Sequence, residues 1–267
     1  MGTAHFIPFK NPMFDLKKIV PYLIVIPLAA GVRGFAGLGS GIISMTTFSL
    51  LDANLERVSV VLNIIFLFNT IILLYLSSKR TKIIWRQVLF VSIGTAVGIP
   101  AGYQFILRYH QLPLFKFFLG IIILLGSLYF FFPFRFREKI HPSFGILFGA
   151  VSGFIAGAFM SGGPPLSLYL YAQMDDPRDM KGTLQATFMI ASIIRLVTVG
   201  VGKTGYSEDV LLTALVILVP AAFLLYVGHR VSEKLDLHLI RRLIYGLLGV
   251  FGAIIAVNGM VSYLSGS

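Results

Sequence analysis

The stretch "GAFMSGGPPLSLYL", Gly157 to Leu170, places four helix-interrupting residues side by side inside an otherwise apolar run. These are Gly162, Gly163, Pro164 and Pro165. A second run, "GFAGLGSGIISM" from Gly34 to Met45, repeats the glycine-rich pattern earlier in the chain. Glycine disfavours a helix through its conformational freedom, and proline through its missing N–H. Both stretches therefore predict a break within a hydrophobic segment.

The composition around these stretches is that of a multi-pass membrane protein. Of the 267 residues, 57% are hydrophobic and 12% are charged, and the mean hydropathy is +0.87. An ordinary soluble domain carries roughly 25% charged residues. The net charge of +11 comes from basic clusters between apolar spans, which predicts contact with lipid headgroups rather than with nucleic acid.

The apolar segments recur at lengths suited to a bilayer, which an α-helix crosses in about 20 residues. The predicted spans are 19–51, 58–76, 88–107, 114–132, 143–173, 183–202, 210–228 and 240–264. The first and the fifth are too long for one crossing and too short for two, and both contain a glycine cluster. We therefore predict that each of these two spans is a hairpin of two half-helices of similar length.

The chain carries an internal duplication. A shift of 123 residues aligns the long spans, the acidic loops after them and the following helices. It superimposes Gly34 on Gly157, Gly39 on Gly162, Asp52 on Asp175, and Glu56 on Asp179. This predicts an N-terminal segment 1–18, a transmembrane repeat 19–133, a linker loop 134–142 and a second repeat 143–267.

The distribution of Lys and Arg favours repeats of inverted topology. If the long spans are re-entrant hairpins, each repeat consists of one hairpin and three transmembrane helices. Most of the basic loops then lie on one side of the membrane, as the positive-inside rule requires. The alternative, in which all eight spans cross once and the repeats are parallel, gives almost no bias. In the inverted arrangement, Lys10, Lys17 and Lys18 would lie on the side opposite to the basic loops, against the positive-inside rule.

The predicted breaks suit an anion. Interrupted backbone survives at membrane depth only where protein or a wet cavity shelters it, and half-helix N-termini offer free N–H groups and partial positive charge. The candidate donors are Gly39, Ser40, Gly41, Ser161, Gly162 and Gly163, with Pro164 opening the second half-helix. The alternative is that these glycines only allow close helix packing.

Polar residues in the spans complete the candidate substrate site. Arg33 and Arg195 are intramembrane charges that neutralise an anion, pair with backbone carbonyls or, for Arg33, extend to the interface. Asn63 and Gln185 lie on polar helix faces that line a cavity or bond to a neighbouring helix. The carboxylates stand in or near loops, so the predicted cargo is an anion rather than a cation.

The sequence predicts no enzyme, no metal site and no cofactor. Neither glycine run matches a nucleotide-binding loop, and no H-E-x-x-H is present. There is no cysteine, and the five histidines are expected in terminal or loop stretches.

"GAFMSGGPPLSLYL", "DDPRDMKGTLQATFMIASIIRL" and the weaker "GFAGLGSGI" resemble the sulfite exporter TauE/SafE family of bacterial membrane permeases. The resemblance implies a multi-pass transporter of the bacterial inner membrane that carries sulfite, sulfonates or related carboxylates. It also implies that both glycine motifs lie at the substrate site. The family often has a proline where Thr46 stands. A passive anion channel and a membrane scaffold without cargo are the alternatives.

Overall fold

The computed structural model describes residues 16–77, 81–131, 140–201, 206–234 and 238–265, and these form helices joined by short connections. The first half contains α1 (Leu16–Ala36), α2 (Ser40–Leu50), α3 (Leu55–Ser77), α4 (Trp85–Tyr109) and α5 (Pro113–Phe131). The second half contains α6 (Phe144–Phe159), α7 (Gly163–Gln173), α8 (Pro177–Val201), α9 (Glu208–Lys234) and α10 (His238–Leu264). The prediction of an all-helical membrane protein is confirmed.

Six of the described helices are long and apolar enough to cross a membrane. They contain the segments Ile19–Ala36, Leu55–Ser77, Trp85–Tyr109, Arg178–Val201, Glu208–Ser232 and Tyr245–Leu264. Only helices and closed barrels satisfy the backbone in hydrocarbon, so these runs are helical throughout. Because α9 extends beyond the predicted span 210–228, His229 lies inside this helix and not in a loop as expected.

The first long span is a hairpin. α1 ends at Ala36, and the chain turns through Gly37 and Gly39, whose φ angles of 81° and 100° lie in the left-handed region that glycine adopts without strain. α2 then runs back along α1, because the rings of Tyr22 and Phe48 meet at a centroid distance of 4.6 Å.

The second long span is also a hairpin. Met160 follows α6 with a φ of 54°, and the Ser152 hydroxyl donates to the Gly162 carbonyl at 2.5 Å. α7 returns to the end at which α6 began, where the Tyr169 hydroxyl donates to the Pro142 carbonyl at 2.9 Å. Both breaks therefore reverse the chain direction, rather than bend a continuous helix.

The arms of the hairpins are less equal than predicted. α1 has 21 residues against 11 in α2, and α6 has 16 against 11 in α7. α1 alone meets the length and composition of a membrane span. The breaks nevertheless lie level with the middle of the long helices α3 and α8, because Arg33 donates to the Phe66 carbonyl, and Gly163 lies beside Phe188.

Each hairpin packs against a long helix from the other half of the chain. α4 packs along α6, and α9 packs along α1, so each hairpin is held by a helix of the other half. Both pairs run parallel: Gly31 and Gly34 of α1 contact Leu224 and Leu225 of α9 in the same order. The corresponding helices of the two halves, by contrast, cross antiparallel.

Two pairs of corresponding helices show this antiparallel relation. From α3 to α8, Ser59 bonds to Arg195, and Phe66 packs on Phe188, so the two chain directions oppose. From α5 to α10, Ser127 donates to the Tyr245 carbonyl, and Gly120 contacts Gly252. The linker predicted at 134–142 falls mostly outside the described residues, as does most of segment 1–18.

Glycines at every fourth position let α4 and α6 approach closely. Gly94, Gly98 and Gly102 form a ridge on α4 against the backbone of α6, as small residues do between membrane helices. Gly157 of α6 belongs to the same interface, where a Cβ would stand 3.0 Å from the Tyr103 amide nitrogen. Gly157, which is not one of the candidate donors, therefore serves close helix packing.

Gly98→Ala is expected to destabilise the protein. The added Cβ would overlap the Ala150 carbonyl and stand 2.8 Å from the Phe154 amide nitrogen, and a helix backbone cannot yield as a side chain does. We expect a loss of about 1–3 kcal/mol, seen as a lower melting temperature in detergent. Gly246→Ala is the control, since its nearest atom is 3.8 Å away in Phe131. Equal melting temperatures for both variants would contradict this account of the interface.

Candidate substrate site

The two breaks lie against each other. A Cβ on Gly41 of α2 would overlap the carbonyl oxygen of Met160 in the second break, and one on Gly163 would stand 3.3 Å from Leu38 in the first. Gly126 of α5 faces both second arms, with Pro164 and Ile42 at 3.2 and 3.4 Å from its ideal Cβ position. Glycine at these positions allows the hairpin tips to touch.

Between the tips is a cavity of about 50 Å³. Most of the predicted site residues line it: Arg33, Gly39, Gly41, Asn63, Ser161, Gly162, Gly163, Pro164 and Arg195. The remaining wall is apolar and includes the rings of Phe66 and Phe188. The structure therefore brings together residues from both hairpins and from α3 and α8.

Ser40 and Gln185 do not line this cavity. Gln185 lies behind it, where its carbonyl oxygen accepts from Arg33 Nη2 at 3.1 Å and its amide donates to the Gly37 carbonyl at 3.2 Å. Gln185 therefore links the first break to the arginine beside it. Ser40 lines a second, smaller cavity.

Arg33 is held inside the protein and does not extend to an interface. Its side chain is 0% exposed, and it donates from Nη1 to the Phe66 carbonyl at 3.1 Å and from Nη2 to the Thr70 hydroxyl at 2.6 Å. The guanidinium also stacks on the Phe66 ring, with Cζ 3.5 Å from the ring centroid. These contacts fix both the position and the plane of the charge.

Arg195 combines two of the roles considered for it, because it binds backbone carbonyls and also lines the cavity. Its Nη1 donates to Ala156 at 2.8 Å and to Gly157, and its Nη2 donates to the Ser59 hydroxyl at 3.0 Å. The last carbonyls of a helix carry partial negative charge, and those of Ala156 and Gly157 belong to the last turn of α6. Arg195 thus caps α6 at the second break.

Neither arginine has a carboxylate partner among the described residues. An ion pair between Lys116 and Asp52, at 2.5 Å, lies on the exposed surface. The Nε atoms of Arg33 and Arg195 and the hydroxyl of Ser161 are buried without a hydrogen-bond partner. A buried charge is normally paired, so a cavity lined by two such arginines is suited to an anion.

The two half-helix N-termini contribute differently. In α2 the first backbone bond runs from Ile43 to the Gly39 carbonyl, which leaves the N–H groups of Ser40, Gly41 and Ile42 without intrahelical partners. α7 begins at Gly163, and the two prolines after it carry no N–H. No side chain caps either helix. The first tip therefore offers more backbone donors.

Thr46 and Phe188 show where the sequence-based prediction of the site differs from the structure. Thr46, at the position where the family often has proline, lies within α2 and donates to the Ile42 carbonyl at 2.7 Å, so the first hairpin remains helical there. Phe188 was not predicted in the site. Its spacing of seven residues from Arg195 puts both on one helix face, which is the signal that could have found it.

Two comparisons with known proteins point to one family of membrane transporters. The family model described as sulfite exporter TauE/SafE matches residues 22–255. A probable membrane transporter protein of Methanocaldococcus jannaschii is 21% identical over 264 residues, covering 90% of this chain and 96% of its own length. No solved structure matches the chain.

Proposed function

Because the chain belongs to the sulfite exporter TauE/SafE family and is therefore a multi-pass membrane transporter, we propose that it carries a small sulfur-containing anion between the two hairpin tips. Sulfite and small sulfonates are the candidate substrates, with related carboxylates next. The family is one of transporters and not a class of enzymes.

The observation that carries the proposal is the pair of buried arginines without a carboxylate. Arg33, from the first hairpin, and Arg195, from α8, line the same cavity, and each keeps an Nε atom without a hydrogen-bond partner. Leaving a buried charge uncompensated costs stability, and an oxyanion compensates both at once. The three oxygens on the sulfur of sulfite or a sulfonate also match several separate donors.

The size of the cavity supports a small solute. A space of about 50 Å³ holds a few water-sized particles, since one needs roughly 10–15 Å³. A compact oxyanion meets this limit, whereas a nucleotide or a peptide exceeds it. The apolar walls formed by Phe66 and Phe188 exclude water and strengthen the remaining electrostatic contacts.

In the proposed binding mode, backbone N–H groups of Gly39, Gly41 and the segment from Ser161 to Gly163 hold the anion's oxygens, whereas Ser40 takes no part because it does not line this cavity. Arg33 and Arg195 neutralise its charge, and Asn63 donates from its amide. Gln185 acts indirectly, by positioning Arg33. The unequal supply of N–H groups makes the first tip the stronger backbone contact.

We further propose that residues 19–133 and 143–267 are inverted repeats that rock against each other to alternate access. The antiparallel crossing of α3 with α8 and of α5 with α10 supports this, because a parallel duplication would align corresponding helices. Each hairpin packs on a helix of the other repeat, so movement of one repeat would shift both tips.

The test is flux in proteoliposomes with sulfite, methanesulfonate and acetate as separate solutes. We expect saturable uptake and exchange for at least the sulfur anions, and a raised melting temperature of the purified protein with the transported solute. Uptake without saturation or exchange would identify a channel. The absence of both flux and thermal stabilisation for all three would contradict the proposal and favour a scaffold.

A further inference from the structure

A second cavity of about 10 Å³ lies beside the first. It is bounded by Ser40 and Ser44 of α2 and by Asn69 of α3, in a wall that is otherwise apolar. The two cavities share Gly41, Phe66 and Met160 as lining residues. The two cavities are therefore adjacent, and these three residues form the wall between them.

Two of the residues that line this second cavity carry a buried oxygen atom without a hydrogen-bond partner. Ser44 is 0% exposed and Asn69 is 2% exposed, and the Ser44 hydroxyl and the Asn69 side-chain carbonyl make no hydrogen bond. Buried polar groups in native proteins are nearly always satisfied by protein, water or a ligand. Two such oxygens beside one cavity indicate that something binds there.

The chemistry and size favour a small cation. Hydroxyl and amide oxygens are ligands of hard cations, and the volume admits one particle about the size of a water molecule. The Met160 carbonyl, at the C-terminal end of α6, lies against Gly41 in the same wall. Such half-helix ends carry partial negative charge and coordinate Na⁺ in transporters with broken helices.

We propose that this cavity binds one sodium ion that is carried together with the anion. The ion takes its ligands from Ser44, Asn69 and the Met160 carbonyl, with Ser40 within reach of the same space. None of these groups is charged, so the sequence, which lacks a carboxylate in the middle of any span, gives no direct sign of the site.

The position of Arg33 couples the two ligands. Its guanidinium donates to the Phe66 carbonyl at 3.1 Å, and Phe66 lines both cavities, so its positive charge disfavours a cation next door. An anion in the first cavity removes this repulsion and adds attraction. Sodium and anion therefore strengthen each other's binding to the same extent. This coupling rests on the proposed function, whereas the cation site itself does not.

The experiment measures sulfite affinity by calorimetry, and melting temperature, for purified protein in sodium gluconate or choline gluconate at equal ionic strength. We expect sulfite to bind about tenfold more tightly in sodium. Sodium alone is expected to raise the melting temperature slightly, and sodium with sulfite to raise it further.

Ser44→Ala and Asn69→Leu are expected to lose the sodium effect while keeping the sulfite affinity measured in choline. Neither oxygen makes a hydrogen bond that the substitution would remove. The matched control is Ser49→Ala, because the Ser49 hydroxyl is also buried and unpartnered on α2 but lines neither cavity. This variant should keep the full sodium effect.

Sulfite binding that is equal in sodium and choline would overturn the inference, reduce the cavity to a water site and leave the proposed function intact. Sodium stabilisation without any sulfite binding would support the cation site and count against the proposed substrate. The absence of any sodium effect in both measurements would overturn the inference whether or not sulfite binds.

Discussion

Replacing Arg195 with alanine is expected to abolish anion transport in proteoliposomes. Arg195 lines the cavity, carries one of its two charges and holds the end of α6 through the carbonyls of Ala156 and Gly157. A hydrogen bond to a charged group contributes about 1.5–3 kcal/mol, which corresponds to binding roughly ten to a hundred times weaker when it is lost. The same substitution removes the hydrogen bonds that cap the C-terminal end of α6 at the second break.

A loss of transport must be separated from a loss of folding. Arg195→Ala also removes the contact with Ser59, so we expect a lower melting temperature. Ser59→Ala removes that contact and the hydroxyl's bond to the Glu56 carbonyl but leaves the guanidinium in place, so it is expected to lower stability while retaining most of the flux. Arg195→Lys keeps the charge without the forked geometry of the guanidinium, and is expected to retain part of the anion binding.

Arg108→Ala is the control for loss of positive charge, because Arg108 is exposed in the last turn of α4. This variant should transport at the wild-type rate. A folded, monodisperse Arg195→Ala protein with undiminished flux would refute the assigned role of Arg195.

Gly41→Ala is expected to have an effect of similar size by a different route. The methyl group would overlap the Met160 carbonyl oxygen and stand 2.9 Å from its carbonyl carbon, at the point where the two hairpin tips touch. Overpacking of this kind costs about 1–3 kcal/mol, and here it must be relieved by moving one tip away from the other. We expect transport to be lost while the helix content is retained.

Gly31→Ala is the matched control in the same hairpin. Its added Cβ would meet the Leu224 carbonyl oxygen at 3.4 Å, an ordinary contact, and it does not line the cavity. This variant should fold and transport nearly as the wild type does. Wild-type flux in Gly41→Ala would show that the contact between the tips is not required.

Much of the fold could be predicted from two local patterns. The apolar runs require helices, and the cluster from Gly162 to Pro165 interrupts one of them, so the hairpin follows from sequence alone. The break in the first repeat begins at Gly37, two residues before Gly39, the first of the predicted donors. Of the glycines in this run, Gly37 and Gly39 alone adopt left-handed backbone, which a row of several glycines does not reveal.

The remaining features depend on contacts between distant residues. Gln185 and Arg33 are 152 residues apart, and nothing in either helix indicates that they bond. The close approach of α4 to α6 could have been predicted, because glycine recurs every fourth residue in both helices. The unpartnered oxygens of Ser44 and Asn69 could not have been predicted, because only the packed structure shows which side-chain atoms lack a hydrogen-bond partner.

The most direct test of the central claim is to locate a bound oxyanion by its anomalous scattering. Crystals grown with selenite, the selenium analogue of sulfite, would give a selenium peak at the position of the anion. The account predicts one strong peak between Gly39, Gly163 and Arg195, which sulfite displaces. A peak elsewhere in the protein, with this cavity empty, would contradict it.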